Sequence, residues 1–507
     1  MFERVFLVID PFQGGALTVS GTHAAFEFSS EFREIQLRVR IDERVIDSPM
    51  IQSSGAFSLT FDLPEVGQRF QPLEIQASTG FSPETLGLTG GSQPVALRIR
   101  EISLRGERLI DFTGDSGASR FSAAPISQRP AGLNVVGYFQ HEIGVAQSAR
   151  LFAQSCANSG IPNCLVDFSE DRANSVPSVT PPSEEIENPY AINVFHVNAD
   201  RIQAAWRYYG RNFFDGRYNI GVWHWELPVF PDEWLECFDY VDELWVPSLF
   251  IRDAIGAKSS IPVMHMPHAI SFERPVSVMR SEFGLSEESF LFLVMYDMGS
   301  FQSRKNPAAA LESFKIASDA LPQRRLGLVI KVMNADVDSH EFSQLRAWSR
   351  ENENVTLISE TLSRQALYRL EATCDVFVSL HRSEGWGLCL AESMYLEKPV
   401  IATGWSGNMD FMSPDNSALV DYELIDIACD DGPYKEGQLW ADPNISQAAD
   451  WMIRLVEDRV LYQELGLRGR QTMESEYSME AIGRRYQSRF RDLSRMIRDR
   501  DPTSQGA

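Results

Sequence analysis

The sequence has few cysteines, no long apolar run and no excess of positive charge. Six cysteines occur among 507 residues without a CxxC pair, which is typical of reduced thiols in a cytosolic protein rather than of a disulfide framework. No stretch approaches the ~18 apolar residues of a membrane span. The formal net charge is −24, which argues against sequence-independent nucleic-acid binding because that binding requires positive charge at the phosphates.

The amino terminus shows no feature of a cleaved leader. MFERVFLVID contains only a short apolar run, and no small-residue cleavage site follows it. Together with the scarcity of cysteine, this predicts a cytoplasmic protein. The length predicts about three domains. Hydrophobic residues make up 44% of the chain and charged residues 23%, so each domain has enough apolar material for a buried core.

Residues 1–113 have the pattern of antiparallel strands. In EIQLRVRID the apolar Ile35, Leu37 and Val39 alternate with polar residues, and FSLTFD repeats the alternation. A period of two is typical of strands with one face on a core and the other in water. We therefore predict an all-β sandwich as an N-terminal accessory domain.

The composition changes after the predicted sandwich. Residues 114–132 are rich in Ser, Ala, Gly and Pro and predict a linker. Beyond it, apolar strands alternate with helical segments in two consecutive series, which predicts two Rossmann-like, doubly wound α/β domains facing a cleft. The Pro/Ser/Glu-rich stretch 169–190 predicts a surface loop. The other predicted parts are a first Rossmann-like domain at 133–270, a hinge at 271–284, a second Rossmann-like domain at 285–476 and a basic helix at 477–500.

The predicted C-terminal helix carries seven arginines within residues 484–500. The apolar residues Tyr486, Phe490, Leu493 and Ile497 fall on one of its faces. Two interpretations remain open. The apolar stripe packs on the domains and leaves the arginines in water, or the helix lies on an anionic membrane surface.

The most informative segment runs from Glu384 to Glu392. It follows the apolar strand VFVSL and opens a helix. Gly385 and Gly387 have no Cβ and let a ligand approach the backbone closely. The helix beginning there presents free N–H groups and the positive end of its dipole, the arrangement that a diphosphate site requires.

Four further segments stand in an ordered series with this one. RKNP at Arg304–Pro307 follows the strand FLFLVMYD, and TGWSGNMD at Thr403–Asp410 follows the strand KPVIAT. Earlier in the chain, GYF and GVAQSAR lie within Gly137–Arg150, and WHWELP spans Trp223–Pro228. With the Glu-x7-Glu spacing, this series resembles the retaining glycosyltransferases of the GT-B fold, family 4, in their RKNP subgroup. The resemblance covers roughly residues 133–490 and not the N-terminal sandwich.

The resemblance implies a role for each matching residue. Arg304 and Lys305 would neutralise the donor diphosphate, Glu384 would hold the transferred sugar, and His196 would stand near the reacting sugar. These four residues are the predicted catalytic set, with His196 alternatively an ordinary core histidine. Glu226 would contact the acceptor. Predicted donor-binding residues are Gly144, Gly385, Trp386, Gly387, Leu388, Glu392 on the ribose, Ser406 and Asn408, with a plain turn as the alternative for Gly144, Ser406 and Asn408.

The same resemblance implies a retaining, metal-independent transfer of a sugar to a glycan or lipid-linked glycan in cell-surface polysaccharide assembly. The expected co-substrate is a GDP-linked sugar such as GDP-mannose, or a UDP-sugar, and no other cofactor or nucleic acid is expected.

Asp336 and Asp338 form an acidic pair that we interpret as a loop and helix cap rather than a metal site. The sandwich would bind glycans or form an oligomer. A non-catalytic binding module and a phosphorylase or epimerase of the same fold remain alternatives.

Overall fold

The computed structural model describes the backbone of eight strands between residues 4 and 111 and, with side chains, residues 126, 129–141, 143–168, 188–335 and 339–498, with the backbone of Asp499. Most of the predicted linker, residues 169–187 of the predicted loop, and Asp336 and Asp338 lie outside this description. The chain divides into two compact units, Met1–Ser122 and Ala123–Ala507. The second unit contains both Rossmann-like series, so the boundaries predicted between them stay predictions.

The N-terminal unit contains two antiparallel sheets of four strands each. One has the order β1-β6-β3-β4 and the other β5-β2-β7-β8. Strands β3 and β5 fall on the two segments with a period of two. The packing of the sheets as a sandwich stays a prediction. The strands are β1 (Arg4–Ile9), β2 (Phe12–His23), β3 (Leu37–Ile41), β4 (Arg44–Asp47), β5 (Gly55–Val66), β6 (Gln71–Ala77), β7 (Leu97–Leu104) and β8 (Glu107–Asp111).

The second unit begins with a parallel six-stranded sheet of order β10-β9-β11-β12-β13-β14. Its central strands are buried on both faces, which explains their continuous apolar sequences. The elements are β9 (Leu133–Gly137), α1 (Gly144–Asn158), β10 (Asn163–Asp167), β11 (Ile192–Phe195), α2 (Ala199–Tyr209), α3 (Arg211–Phe214), β12 (Tyr218–Val222), a 3-10 helix (Asp232–Tyr240), β13 (Glu243–Val246), α4 (Leu249–Gly256) and β14 (Val263–His265).

A second parallel sheet follows, with the order β17-β16-β15-β18-β19-β20. Its elements are β15 (Phe290–Asp297), α5 (Gln302–Lys305), α6 (Pro307–Ala320), β16 (Leu326–Met333), α7 (His340–Glu351), β17 (Val355–Ile358), α8 (Arg364–Thr373), β18 (Val376–Ser379), α9 (Leu388–Tyr395), β19 (Val400–Thr403), β20 (Ala418–Val420), α10 (Ile445–Glu457), α11 (Arg459–Glu476) and α12 (Met479–Asp499). Strands β21 (Tyr422–Asp426) and β22 (Leu439–Pro443) form an antiparallel hairpin beside it. Short 3-10 helices span Arg280–Phe283, Met298–Ser300 and Gly407–Asp410.

The loops after the strands of the two sheets meet each other. Ser248, after β13, donates a hydrogen bond to the carbonyl of Gly385, after β18, at 2.7 Å. Ser383, before Gly385, donates to the carbonyl of Glu226, after β12. The predicted pair of doubly wound α/β domains is therefore confirmed, and the carboxyl ends of their strands face a shared cleft. Ligands of such sheets bind at these ends.

Helix α12 returns from the second sheet to the first. Tyr486 stacks on Trp245 with ring centroids 5.9 Å apart and donates to the carbonyl of Pro267 at 2.6 Å. Leu493 and Ile497 are buried as well, so the apolar stripe of the tail faces the protein. Membrane contact through the arginine face stays a prediction. None of the described helices is both long and apolar enough to cross a bilayer.

Candidate functional site

The basic pair after β15 is held in a short helix against the loop that follows β18. Arg304 is 3% exposed and donates to the carbonyls of Ser383 at 2.8 Å and Ser300 at 3.1 Å. Asn306 has a φ of +50° and ends α5, and Pro307 begins α6. Proline fits the first turn of a helix. The helical path is therefore interrupted at Asn306, and the basic pair lies in α5, separate from α6.

Glu384 lies between the two predicted cations. Its carboxylate forms an ion pair with the Lys305 amine, and its Oε2 lies 3.5 Å from the Arg304 guanidinium. Burial alone would raise the pKa of this carboxyl, but Lys305 and Arg304 outweigh it and lower the pKa to about 2. The structure thus brings together three of the four residues of the predicted catalytic set, with Glu384 ionised.

The loop from Glu384 to Gly387 is fixed by the segment after β19. The Glu384 amide donates to Ser406 Oγ at 2.8 Å, and the Gly407 amide donates to the carbonyl of Glu384 at 2.9 Å. A Cβ on Gly407 would lie 1.8 Å from the carbonyl oxygen of Gly385, so only glycine fits there. Gly387 has a φ of +96° and precedes Leu388, the first residue of α9, which directs the N-terminus of this helix at the loop.

Asn408 lies behind this loop. It is fully buried, its amide donates to the carbonyl of Thr403 at 3.0 Å, and its Oδ1 lies 3.2 Å from His381 Nε2. These contacts favour the structural turn over donor contact for Asn408. Ser406 likewise has a structural contact, because its Oγ accepts a hydrogen bond from the Glu384 amide in the loop.

Glu392 lies two turns into α9 and is 1% exposed. Its Oε1 accepts a hydrogen bond from Tyr368 at 3.2 Å and lies 3.5 Å from Arg364. Burial raises the pKa of Glu392, and Arg364 and Tyr368 oppose that rise. Gln147, on α1, donates to the Tyr368 hydroxyl at 3.3 Å. The predicted ribose-binding carboxylate is therefore linked to the first sheet's helix.

Gly144 begins that helix, α1. Apart from its chain neighbours and its own helix, no atom of the described residues lies within 4 Å of the position that a Cβ would take there. Donor contact at Gly144 stays a prediction.

His196 directly follows β11 and belongs to a buried group of polar residues. Ser148 Oγ lies 3.2 Å from His196 Nδ1 and 3.3 Å from His268 Nδ1. His268 Nε2 lies 3.0 Å from His224 Nε2. Burial and the imidazole of His224 lower the pKa of His196 to about 3, and burial lowers that of His224 to about 4. These rings are neutral near pH 7.

Glu226 lies at the junction of the two sheets, beside the basic pair. Its carboxylate accepts a hydrogen bond from Tyr434 at 3.1 Å. The Tyr434 ring lies 5.8 Å from Arg304 Cζ. The predicted acceptor contact thus stands within the same charged cluster and already has a partner.

The Trp386 ring is 3% exposed. Its centroid lies 5.0 Å from that of Phe411 and 5.1 Å from that of His268, which it meets edge to face. The ring packs between the two sheets, and its Nε1 is buried without a hydrogen-bond partner among the described residues.

Sequence reasoning missed several partners of the predicted residues. Tyr434 belongs to the turn of the β21–β22 hairpin, and its segment DGPYKEG shows no pattern that indicates a site. Ser148 and His224 stood within segments that carried the resemblance, but no role followed from it. The signal that could have identified His224 is a polar residue shortly after the buried strand β12; His268 follows the partly buried β14 at a distance of three residues, which is a weaker signal.

Several buried side-chain atoms around the cleft have no hydrogen-bond partner among the described residues. Buried polar atoms in folded proteins are nearly all hydrogen-bonded, so such a concentration indicates a site for a polar ligand. These atoms include His196 Nε2, His224 Nδ1, Arg304 Nε, Arg364 Nε, Trp386 Nε1 and Glu392 Oε2.

Comparisons with known proteins bear on the family and the fold. The family model of glycosyl transferases group 1 matches residues 280–472, which include the Arg304, Glu384 and Glu392 motifs. No curated protein matches the chain in sequence.

Solved structures share the fold at low identity. A sucrose-phosphate synthase from Thermosynechococcus elongatus is 14% identical over 71% of this chain and 99% of its own, with a TM-score of 0.53. Anabaena HepE, in complex with UDP and glucose, is 12% identical over 72% of this chain and 100% of its own, with a TM-score of 0.50.

The pneumococcal O-GlcNAc transferase GtfA, in complex with UDP and GlcNAc, is 13% identical over 60% of this chain, with a TM-score of 0.43. This chain spans 56% of the length of that transferase. The GT-B fold is confirmed, and the residues 280–472 that match glycosyl transferases group 1 support a glycosyltransferase.

Proposed function

We propose that the chain is a retaining, metal-independent glycosyltransferase that moves a sugar from a nucleotide-sugar to a hydroxyl of a glycan or glycoconjugate. One observation supports this most: Glu384 stands ionised between Arg304 and Lys305, at the N-terminus of α9 and opposite the first sheet. A sugar donor carries hydroxyls and a diphosphate on adjacent atoms. Glu384 offers an acceptor for the hydroxyls, and Arg304 and Lys305 offer two positive charges beside it.

Lys305 is the residue that would meet the leaving diphosphate. Together with the free amides at the start of α9, its amine would stabilise the negative charge that develops on the departing nucleotide, where electrostatic contributions are largest. Arg304 spends two of its donors on carbonyls, so it would contribute charge from behind the loop. These two cations are the basis for proposing that no divalent metal is required.

Glu384 would hold sugar hydroxyls and not act as a general base. A carboxyl whose pKa is about 2 is a weak proton acceptor near neutral pH. A retaining transfer in which the donor phosphate takes the acceptor proton fits this cluster, because it asks no protein carboxylate to do so. Glu392 would bind the ribose through Oε2, and His196 would face the transferred sugar.

The donor base and the acceptor are further proposals. GDP-mannose follows from the RKNP subgroup, and a UDP-sugar is the alternative, in keeping with the UDP in the HepE structure. We propose cell-surface polysaccharide assembly on the cytoplasmic side as the setting. Glu226, which lies beside the basic pair, is the proposed acceptor contact.

Thermal unfolding with nucleoside diphosphates tests the donor site. The chain is heated with UDP, GDP, ADP and TDP in EDTA, beside Lys305→Ala and the exposed control Lys315→Ala. A ligand of the folded state at 100 times its dissociation constant stabilises that state by about 2.7 kcal/mol. We expect one nucleotide to raise the melting temperature of the chain and of Lys315→Ala, with the increase lost in Lys305→Ala. No increase with any nucleotide, or the same increase in all three proteins, would contradict the donor site.

A further inference from the structure

We propose that Ser148 and His268 are positioning residues that couple the tautomer of His196 to that of His224. The inference deepens the proposed function, because it says what sets the hydrogen-bonding character of the histidine proposed to face the sugar. Its geometry does not depend on that function.

The four residues form one continuous hydrogen-bonded chain. Ser148 Oγ stands between His196 Nδ1, at 3.2 Å, and His268 Nδ1, at 3.3 Å. From the other side of its ring, His268 reaches His224 Nε2 at 3.0 Å, with the ring centroids 5.2 Å apart and the two ring planes 23° from parallel. The order is His196, Ser148, His268, His224.

The chain lies along the edge of the first sheet that faces the second. His196 follows β11, His224 follows β12, and His268 follows β14, all at the carboxyl ends of parallel strands. The His268 ring meets the Trp386 ring edge to face, with centroids 5.1 Å apart, and Trp386 belongs to the loop from Glu384 to Gly387. The network is therefore part of the cleft and not of a remote core.

Counting hydrogens leaves the neutral chain two arrangements. Each neutral imidazole carries one N–H, and the serine carries one O–H. No third partner of the Ser148 hydroxyl is present among the described residues, so it donates to one ring and accepts from the other. If it donates to His196, then His268 donates to Ser148 and His224 donates to His268. If it donates to His268, every bond reverses.

The two ends of the chain consequently differ in character. His196 Nε2 and His224 Nδ1 are both buried without a partner among the described residues. In the first arrangement, His196 Nε2 carries a hydrogen and His224 Nδ1 accepts one. In the second, the roles are exchanged. A ligand that fixes one end therefore fixes the other, through Ser148 and His268. Burial and the mutual influence of the imidazoles, which keep all three pKa values low, maintain the neutral state that this count assumes.

Nitrogen NMR of the full chain, labelled with 15N-histidine, tests the coupling without any substrate. Signals are assigned by single His→Gln changes. We expect each ring of the chain to show one protonated and one unprotonated nitrogen. Ser148→Ala should convert His196 to an averaged tautomer, whereas Ser148→Thr, which keeps the hydroxyl, should retain the original pattern.

Ser155→Ala is the matched control. It removes a buried hydroxyl from the same helix, where Ser155 bonds the carbonyl of Met479 at 3.1 Å, and it should leave the histidine signals unchanged. His268→Asn is a second variant, because its amide can replace Nδ1 toward Ser148 but cannot reach His224. In that variant only His224 should become averaged.

Kinetics then separate positioning from folding. With a donor that the wild-type chain turns over, Ser148→Ala should lower kcat about 10-fold with KM changed less than 2-fold, and Ser148→Thr should restore most of kcat. Unchanged His196 signals in Ser148→Ala, or equal changes in Ser155→Ala, would overturn the coupling. Absence of any donor turnover by the wild-type chain would instead contradict the proposed function and leave the NMR result valid.

Discussion

Glu384 is ionised in a buried place because two cations surround it. Lys305 pairs with it directly, and Arg304 lies 3.5 Å away. Buried ion pairs contribute little net stability as whole units, but removing one member leaves the other charge uncompensated. We propose that these three charges neutralise one another until a ligand with both hydroxyls and phosphates binds.

Glu384→Gln tests this balance. We expect a loss of about 3 kcal/mol in the free energy of unfolding, since the buried Arg304 and the partly buried Lys305 lose their partner, together with a loss of most donor turnover. The carboxylate's contribution is fully present above its unfolded pKa of about 4.5 and is lost as the pH falls through about 2. Urea unfolding at pH 7 measures the change. The exposed Glu312→Gln is the control, and equal stability of the two variants would contradict the ion-pair account.

The buried histidines also predict a loss of folding stability in acid, but for a different reason. Burial, which disfavours the charged ring, lowers their pKa values, whereas neighbouring cations lower that of Glu384. The folded pKa values of His196 and His224 are about 3 and about 4, below the ordinary 6.5. The unfolded chain therefore binds protons first, and stability is lost as the pH falls from about 6.5, by about 1.4 kcal/mol per pH unit for each histidine.

The measurement compares the chain with His224→Gln at pH 6.5 and pH 5, in urea. The raised pKa values of Glu371 and Glu392 make the folded state bind protons more readily in this pH range, which increases stability on acidification. Both proteins share this effect, so the difference between them reports on His224. The variant should lose less stability on acidification, by about 2 kcal/mol over the interval. Parallel losses would mean that His224 titrates normally.

At the scale of elements, the site is made by loops that follow parallel strands and by the helices that they open. The loop after β18 packs against the segment after β19 through direct backbone contacts. The Gly407 amide donates to the Glu384 carbonyl, and the Gly407 Cα lies against the Gly385 carbonyl. The β21–β22 hairpin adds Tyr434 over Arg304. The loop after β18 is thus held firmly against the second sheet.

Gly407→Ala should disrupt this loop. A Cβ there would lie 1.8 Å from the carbonyl oxygen of Gly385, so the loop must move, and we expect a loss of stability of about 2 kcal/mol and of nucleotide binding. Gly144→Ala is the contrast, because its Cβ would meet nothing within 4 Å and alanine favours a helix. It should be at least as stable as the wild-type chain in urea. An equally stable Gly407→Ala would contradict the observed closure.

At the scale of the whole second unit, α12 joins the end of the chain to the first sheet. Arg489 bonds the fully buried carboxylate of Glu243, which also accepts hydrogen bonds from Tyr218 at 3.0 Å and from Trp245 at 2.7 Å. The tail is a structural element of the unit, and its apolar stripe is used within the protein.

Arg489→Ala should therefore destabilise the chain by about 3 kcal/mol, because the buried Glu243 loses its cation. The exposed Arg491→Ala, two residues further along the same helix, should change stability by less than about 0.5 kcal/mol. Urea unfolding of both variants measures the difference. If both unfold like the wild-type chain, α12 does not make this contact in solution.

The sequence predicts the two α/β series and the principal loops well, because buried parallel strands leave continuous apolar runs and glycine-rich turns follow them. It predicts Arg304, Lys305 and Glu384 as one cluster because a known family has them in this order. It does not predict Tyr434 on Glu226 or the linkage of Ser148 to His268. Those contacts join residues far apart in the chain, and they depend on strand order and hairpin position, which local patterns do not encode.

The most direct test of the central claim is release of nucleoside diphosphate from nucleotide-sugars by the full chain. UDP- and GDP-linked sugars are supplied in EDTA, with and without a glycan acceptor, to the chain, to Lys305→Ala and to Lys315→Ala. The account predicts release from one donor class, increased by acceptor, about 100-fold slower in Lys305→Ala and unchanged in Lys315→Ala. Nucleotide binding without any release or sugar transfer would contradict it and would indicate a binding module on a GT-B fold.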